Sequence, residues 1–215
     1  MNLGSAGLTK GGAGTLVLNQ ATTINGPTMI LGGTLAVSNA GTVTQSASLG
    51  SVINGSGGLA NVGAGTLVLD RTNFYSGLTR ATSGTITLAN SLALQNSAID
   101  TTGAGRFTFS GTSAFVIGGL SGTSGNLVSV FDSSYGTVSG LTLNLASGVT
   151  GTYGGVISNG TSTGMNLTVT GLGTQVLQGV NTYSGTTILG LYNGNAGTLA
   201  LSGSGAIANS SVYVF

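Results

Sequence analysis

The chain has 215 residues, 41 of them glycine and one proline, with no cysteine, no histidine and a net charge of +1. Four basic and three acidic side chains make up 3% of the residues, against about 25% in an ordinary protein. A nucleic-acid surface or a lipid-binding helix needs clustered Lys and Arg, a thiolate site or disulfide needs Cys, and a Ser-His-Asp triad or imidazole metal site needs His, so these classes are excluded.

Glycine without a G-X-Y period excludes collagen, and recurring aliphatic blocks argue against disorder. No apolar run reaches the ~18 residues of a membrane helix, so no membrane insertion by this segment is expected. The start, Met1-Asn2-Leu3-Gly4-Ser5, has no basic region followed by an apolar core. If such a chain is exported, it is expected to be part of a longer one or to have lost its signal.

The heptad Gly12-Ala13-Gly14-Thr15-Leu16-Val17-Leu18 returns unchanged as Gly63-Ala64-Gly65-Thr66-Leu67-Val68-Leu69. A looser copy, Gly171-Leu172-Gly173-Thr174-Gln175-Val176-Leu177, lies well beyond the second. Each reads as a glycine corner and an alternating strand, with Leu16 and Leu18, or Leu67 and Leu69, on one face. Gly33-Thr34-Leu35-Ala36-Val37 repeats the pattern after Gly14, and Gly84-Thr85-Ile86-Thr87-Leu88 repeats it at the same interval after Gly65. Gly197-Thr198-Leu199-Ala200-Leu201 follows Gly173 at a longer interval, with Leu191 to Asn195 resembling a loop insertion.

A second landmark keeps its offset from the first. Asn73-Phe74-Tyr75-Ser76-Gly77 follows Thr66 at the same distance as Asn181-Thr182-Tyr183-Ser184-Gly185 follows Thr174. Thr22-Thr23-Ile24-Asn25-Gly26 is a weaker copy. Two landmarks in register define a repeat with a step of roughly 19–24 residues, near the lower end of the range for stacked repeats. That step fits one coil of a parallel β-solenoid better than an antiparallel sandwich. Asn25-Gly26, Asn54-Gly55, Asn159-Gly160 and Asn193-Gly194 are expected to supply positive φ at sharp corners. About ten coils and a rod of roughly 50 Å follow from the strand-stacking distance. Residues 101–158 are less regular, without a linker-like shift in composition, so one all-β parallel β-helix domain over 1–215 is expected.

Leu8 to Leu18, Asn181 to Ile188 and Gly197 to Leu201 resemble the opening, middle and end of the autotransporter-associated β-strand repeat, or passenger-associated transport repeat. The resemblance is clearest over 8–37, 59–99 and 153–207. It implies a right-handed parallel β-helix in the passenger of a secreted bacterial surface protein, exported through an outer-membrane barrel. The final Ser211-Val212-Tyr213-Val214-Phe215 reads as one more solenoid strand.

The remaining chemistry is sparse. The intervals from Asp70 to Asp100 and from Asp100 to Asp132 are not multiples of the step from Gly14 to Gly33. Such spacing does not stack two carboxylates beside a scissile glycosidic bond. They read as solvated corner residues, and no catalytic, cofactor or metal residue is assigned. The glycine turns lack the third glycine and helix of a dinucleotide site and the aspartate of a calcium-binding repeat. Thr42/Thr44, Thr85/Thr87 and Thr168/Thr170 are too irregular for a flat threonine face. Phe74, Tyr75 and Tyr183 are expected to stack on neighbouring coils rather than on sugars. The sequence thus predicts a non-enzymatic stalk or adhesin segment outside a bacterial cell. Its structural residues are Gly14, Thr15, Leu16, Leu18, Gly65, Thr66, Leu67, Leu69, Gly173, Thr174, Leu177, Asn181, Tyr183 and Gly185. Its expected partners are adjoining coils or neighbouring copies stacked head to tail, and host or matrix glycans. The rival is a glycan-binding or glycan-cleaving β-helix.

Overall fold

A computed structural model describes residues 2–19, 22–122, 138–160, 162–190 and 197–215. Short strands follow one another with almost no helix. The first coils hold β1 (Leu8–Lys10), β2 (Thr15–Asn19), β3 (Thr28–Ile30), β4 (Thr34–Ser38) and β5 (Thr42–Thr44), then the one-turn helix α1 (Gln45–Ser48). Next come β6 (Ile53–Asn54), β7 (Gly58–Asn61), β8 (Thr66–Leu69), β9 (Thr79–Ala81), β10 (Thr85–Leu88), β11 (Ile99–Asp100) and β12 (Arg106–Phe109). After β13 (Ala114–Ile117) and β14 (Leu120–Ser121), the chain continues with β15 (Gly140–Leu145), β16 (Thr150–Tyr153), β17 (Asn166–Gly171) and β18 (Thr174–Leu177). It ends with β19 (Thr187–Leu189), β20 (Thr198–Leu201) and β21 (Val212–Val214).

The strand pairings among the described residues are parallel. Strands β2, β4, β7, β9, β11 and β14 stack as a first face. The Gly122–Tyr153 bridge carries this face on into β16, β18 and β20. A second face begins with β1, β3 and β6 and resumes as β13, β15, β17, β19 and β21. The third face is β5, β8, β10 and β12. Parallel neighbours a coil apart with short connections make this a β-solenoid.

The strands of the first face enclose about eight turns among the described residues, fewer than the ten expected. The step widens along the rod, which accounts for the difference. Thr15 pairs with Thr34, but Thr174 pairs with Thr198, and Gly122 bridges to Tyr153. Residues 123–137, Asp132 among them, and the Leu191 to Asn195 insertion with Asn193-Gly194 lie outside the described residues.

Alternation decides what is inside. On the third face Leu67, Ile86 and Phe107 form one inward column, and Leu69, Leu88 and Phe109 the next. All of them are buried. Growing side chains fill the interior toward β13, where the Phe109 and Phe115 rings meet at 4.5 Å, tilted by 58°. The core is one cluster from Leu18 to Tyr183. At about 25 cal/mol per Å² of buried apolar area, such columns supply most of the gross stabilisation.

Glycine has two uses at the corners. Gly33 has φ 63° and a Cβ there would lie 2.2 Å from the Gly14 carbonyl oxygen; Gly84 has φ 57° and would meet the Gly65 oxygen at 2.2 Å. Gly65 itself has no positive φ, but its Cβ would lie 2.0 Å from the Gly41 oxygen, so close coil approach alone demands glycine there. Of the Asn-Gly pairs, Gly55 and Gly160 have positive φ and Gly26 does not. Gly26 is required by crowding, with the Ser5 oxygen 2.4 Å from where a Cβ would sit.

Candidate functional site: a clamp across three coils

The identical heptads lie on different faces. Thr15, Leu16 and Leu18, behind Gly14, belong to β2 on the first face, whereas Thr66, Leu67 and Leu69, behind Gly65, belong to β8 on the third. Thr174 and Leu177, behind Gly173, return to the first face in β18. The interval from Gly12 to Gly63 is therefore two turns plus one face, and the second copy is displaced around the rod relative to the other two.

The Asn-x-Tyr landmark builds the same hydrogen-bond clamp at both places. Asn73 Oδ1 accepts the Ile53 amide at 2.9 Å from the preceding coil, and Nδ2 donates to the Ala93 carbonyl at 3.2 Å in the following coil. Asn181 does likewise, accepting from Ile157 N at 2.9 Å and donating to Ala206 O at 3.0 Å. Nδ2 also donates within the coil, to Arg71 O at 3.2 Å or Gly179 O at 2.9 Å. Gln45 adds a reciprocal amide pair to Asn73, at 2.6 and 3.0 Å.

The tyrosine starts a second connection. Tyr75 Oη lies 2.6 Å from Thr79 Oγ1, which lies 2.7 Å from Ser97 Oγ, which donates to the Gly77 carbonyl at 2.6 Å. Tyr183, Thr187, Ser210 and the Gly185 carbonyl repeat this at 2.7, 2.7 and 2.6 Å. Each hydroxyl carries one proton, so the order is fixed: Ser gives its proton to the carbonyl, accepts from Thr, and Thr accepts from Tyr. Burial pushes the Tyr75 hydroxyl well above the ordinary tyrosine range, while the nearby Thr79 and Ser97 hydroxyls pull the other way. Burial raises Tyr183 as well, against Thr187 and Ser210. The tyrosines stay neutral and serve as donors.

The first repeat lacks this relay. Ile24 takes the tyrosine's place, and Thr28 Oγ1 donates directly to Leu49 O at 2.7 Å. Phe74, expected to stack between coils, is instead 54% exposed, because it alternates with the buried Asn73 and Tyr75.

Several contributors went unread in the sequence. Ser97 and Ser210, with the carbonyl acceptors Ala93 and Ala206, belong to a repeated word: Ala93-Leu94-Gln95-Asn96-Ser97 and Ala206-Ile207-Ala208-Asn209-Ser210. That word was the available signal. Lys10 and Asn61, at matching places in two repeats, cap carbonyls at a corner. Lys10 Nζ donates to Gly11, Gly12 and Gly32 at 2.6–3.0 Å. Asn61 Nδ2 donates to Gly65, Ser83 and Thr85 at 3.0–3.2 Å. Gln175 occupies an inward leucine position. It accepts from Leu120 N at 2.9 Å and donates to Leu120 O at 3.1 Å, reaching past the side-chain-free Gly151, whose carbonyl it also meets at 3.2 Å.

The carboxylates have local partners. Asp70 accepts the Ser46 amide and hydroxyl, and Asp100 the Thr102 amide and hydroxyl, with Arg80 Nε 3.7 Å from its other oxygen. Asp70 follows β8 on the third face while Asp100 lies in β11 on the first, so the two do not flank one bond. Among the described residues no cluster of metal-ligating side chains occurs and no helix is long and apolar enough to cross a membrane.

Stacked parallel coils, inward leucine columns and repeated corner clamps define the class: a β-solenoid repeat protein. Residues 8–37, 62–88 and 167–190 match the model of the passenger-associated-transport-repeat, the repeat that the sequence resembles. The first match has the bounds read from the sequence; the others are narrower, and both clamp serines lie outside them. No curated protein and no solved structure matches the chain. Repeat and solenoid together fit a structural, autotransporter-passenger-like β-helix.

Proposed function

We propose that residues 1–215 act as one non-catalytic β-helical segment of an exported bacterial surface protein, holding other parts of that protein away from the cell. The clamp carries this reading. The same side-chain geometry joins three coils around Asn73 and again around Asn181. It serves stacking, with the Asn, Tyr, Thr and Ser groups engaged by one another and by backbone atoms of adjoining coils. Epitope tags inserted at exposed corners of the native protein test the location: surface labelling of intact cells supports it, and labelling only after lysis opposes it.

A second reading is end-to-end association. Leu201, Val212, Tyr213, Val214 and Phe215 are all at least 45% exposed on the last rungs, and such strand edges accept further pairing. Either an adjoining coil or another copy satisfies them, the latter producing a filament. Negative-stain imaging over a concentration series decides: short single rods throughout oppose the filament.

A further inference from the structure

The outer side of the first face carries a groove of 430 Å³ lined by residues of five successive strands, β2, β4, β7, β9 and β11, together with their adjoining corners. This volume falls among the roughly 300–1,000 Å³ of small-molecule sites. Its floor is Gly58, Ala36 and Ala60. Alternation with the inward Leu35, Val37 and Leu59 turns both alanines outward, yet they are only 1% and 7% exposed. Leu78 and Val62 rise beside them as apolar walls.

The polar lining is balanced. Arg80 and Asp100 bring one charge of each sign, 3.7 Å apart at Nε; that atom is covered and has no hydrogen-bond partner among the described residues, while the Arg80 side chain as a whole is 44% exposed. Thr15 and Thr34 lie side by side in register and Thr82 lines the same groove. We propose that this groove binds a neutral, hydroxyl-rich ligand: a sugar unit of an uncharged glycan.

The chemistry favours this class over others. A polyol accepts from Arg80 and the threonines and donates to Asp100, so both members of the pair gain a hydrogen bond. An anion attracted to Arg80 is opposed by Asp100. A purely apolar ligand leaves the arginine and hydroxyls desolvated without partners. An added peptide strand would pair at the outer edge of β2, the end strand of this face, rather than lie across the groove, because β4, β7, β9 and β11 are paired on both sides. The inference is independent of the export reading, since it uses only the outer side of the fold.

The test is ¹⁵N NMR titration of the purified chain with four probes: maltohexaose, cellohexaose, mannohexaose and, as the charged comparison, tri-galacturonate. At least one neutral probe is expected to shift the Ala36, Ala60 and Arg80 amides saturably. Arg80→Gln, and separately Ala60→Leu to fill the floor, are each expected to weaken binding at least about fivefold. Arg106→Gln, on the third face, leaves it unchanged. Thermal melts establish that the variants fold; should Ala60→Leu not fold, Arg80→Gln decides. No saturable shift by any neutral probe up to about 50 mM, undiminished binding by folded Arg80→Gln, or tighter binding of tri-galacturonate would overturn the proposal.

Discussion

Ser97 Oγ stands 2.7 Å from Thr79 Oγ1 across a coil boundary, and this contact closes a relay whose order is fixed from tyrosine to carbonyl. Removing either end orphans a buried partner. Tyr75→Phe should destabilise by about 0.5–1.5 kcal/mol, and Ser97→Ala by about 1–3 kcal/mol, since it leaves both the Thr79 hydroxyl and the Gly77 carbonyl unsatisfied. In urea unfolding, the double variant should show a coupling of roughly 0.5 kcal/mol or more. Strict additivity would separate the two residues energetically.

Tyr153 supplies the opposite case. It is fully buried, and its hydroxyl has no hydrogen-bond partner among the described residues. Tyr153→Phe removes a desolvated donor without breaking a bond, so it should be neutral or stabilise by up to about 1 kcal/mol. Its melting temperature should not fall, whereas that of Tyr75→Phe should; equal losses would contradict the distinction.

The corner glycines separate in the same way. Gly33→Ala introduces a Cβ at φ 63° against the Gly14 carbonyl, while the Gly14 Cβ position has nothing within 4 Å. Gly33→Ala should cost about 1–3 kcal/mol, and Gly14→Ala less than about 0.5 kcal/mol, compared by chemical denaturation.

The pH dependence follows from the tyrosines. Burial raises Tyr75, Tyr153 and Tyr183 above their unfolded values. Below about pH 10 both folded and unfolded chains keep these protons, and stability is unaffected by them. Above it the unfolded chain loses protons that the folded chain retains. The unfolded state then binds fewer protons, so stability falls as pH rises above about 10. With no histidine in the chain, stability should be nearly level from about pH 5 to 9. Melts from neutral to alkaline pH test both parts, and a transition near neutral pH would contradict them.

Much of this architecture is legible because the physics is local and periodic. Thr15 to Thr34, Thr66 to Thr85 and Thr174 to Thr198 each read as one step, and each is a direct strand pair. The rotation of Gly65 to Leu69 onto another face was not legible. Variable corners change the number of residues per turn, so identical words need not share a side. Gln175 was hidden for a related reason: its partners are backbone groups of Leu120, reached past a side-chain-less neighbour at Gly151. The relay serines lay in plain view within Asn96-Ser97 and Asn209-Ser210. Small polar residues are so common in this chain that the shared word does not stand out.

The clamp across coils is tested most directly by amide hydrogen exchange at Ile53, whose N–H is held by Asn73 Oδ1. In Asn73→Ala its protection should fall about tenfold or more, while Ile157, held by Asn181 in the other clamp, keeps its own. Wild-type protection at Ile53 in that variant would contradict the account.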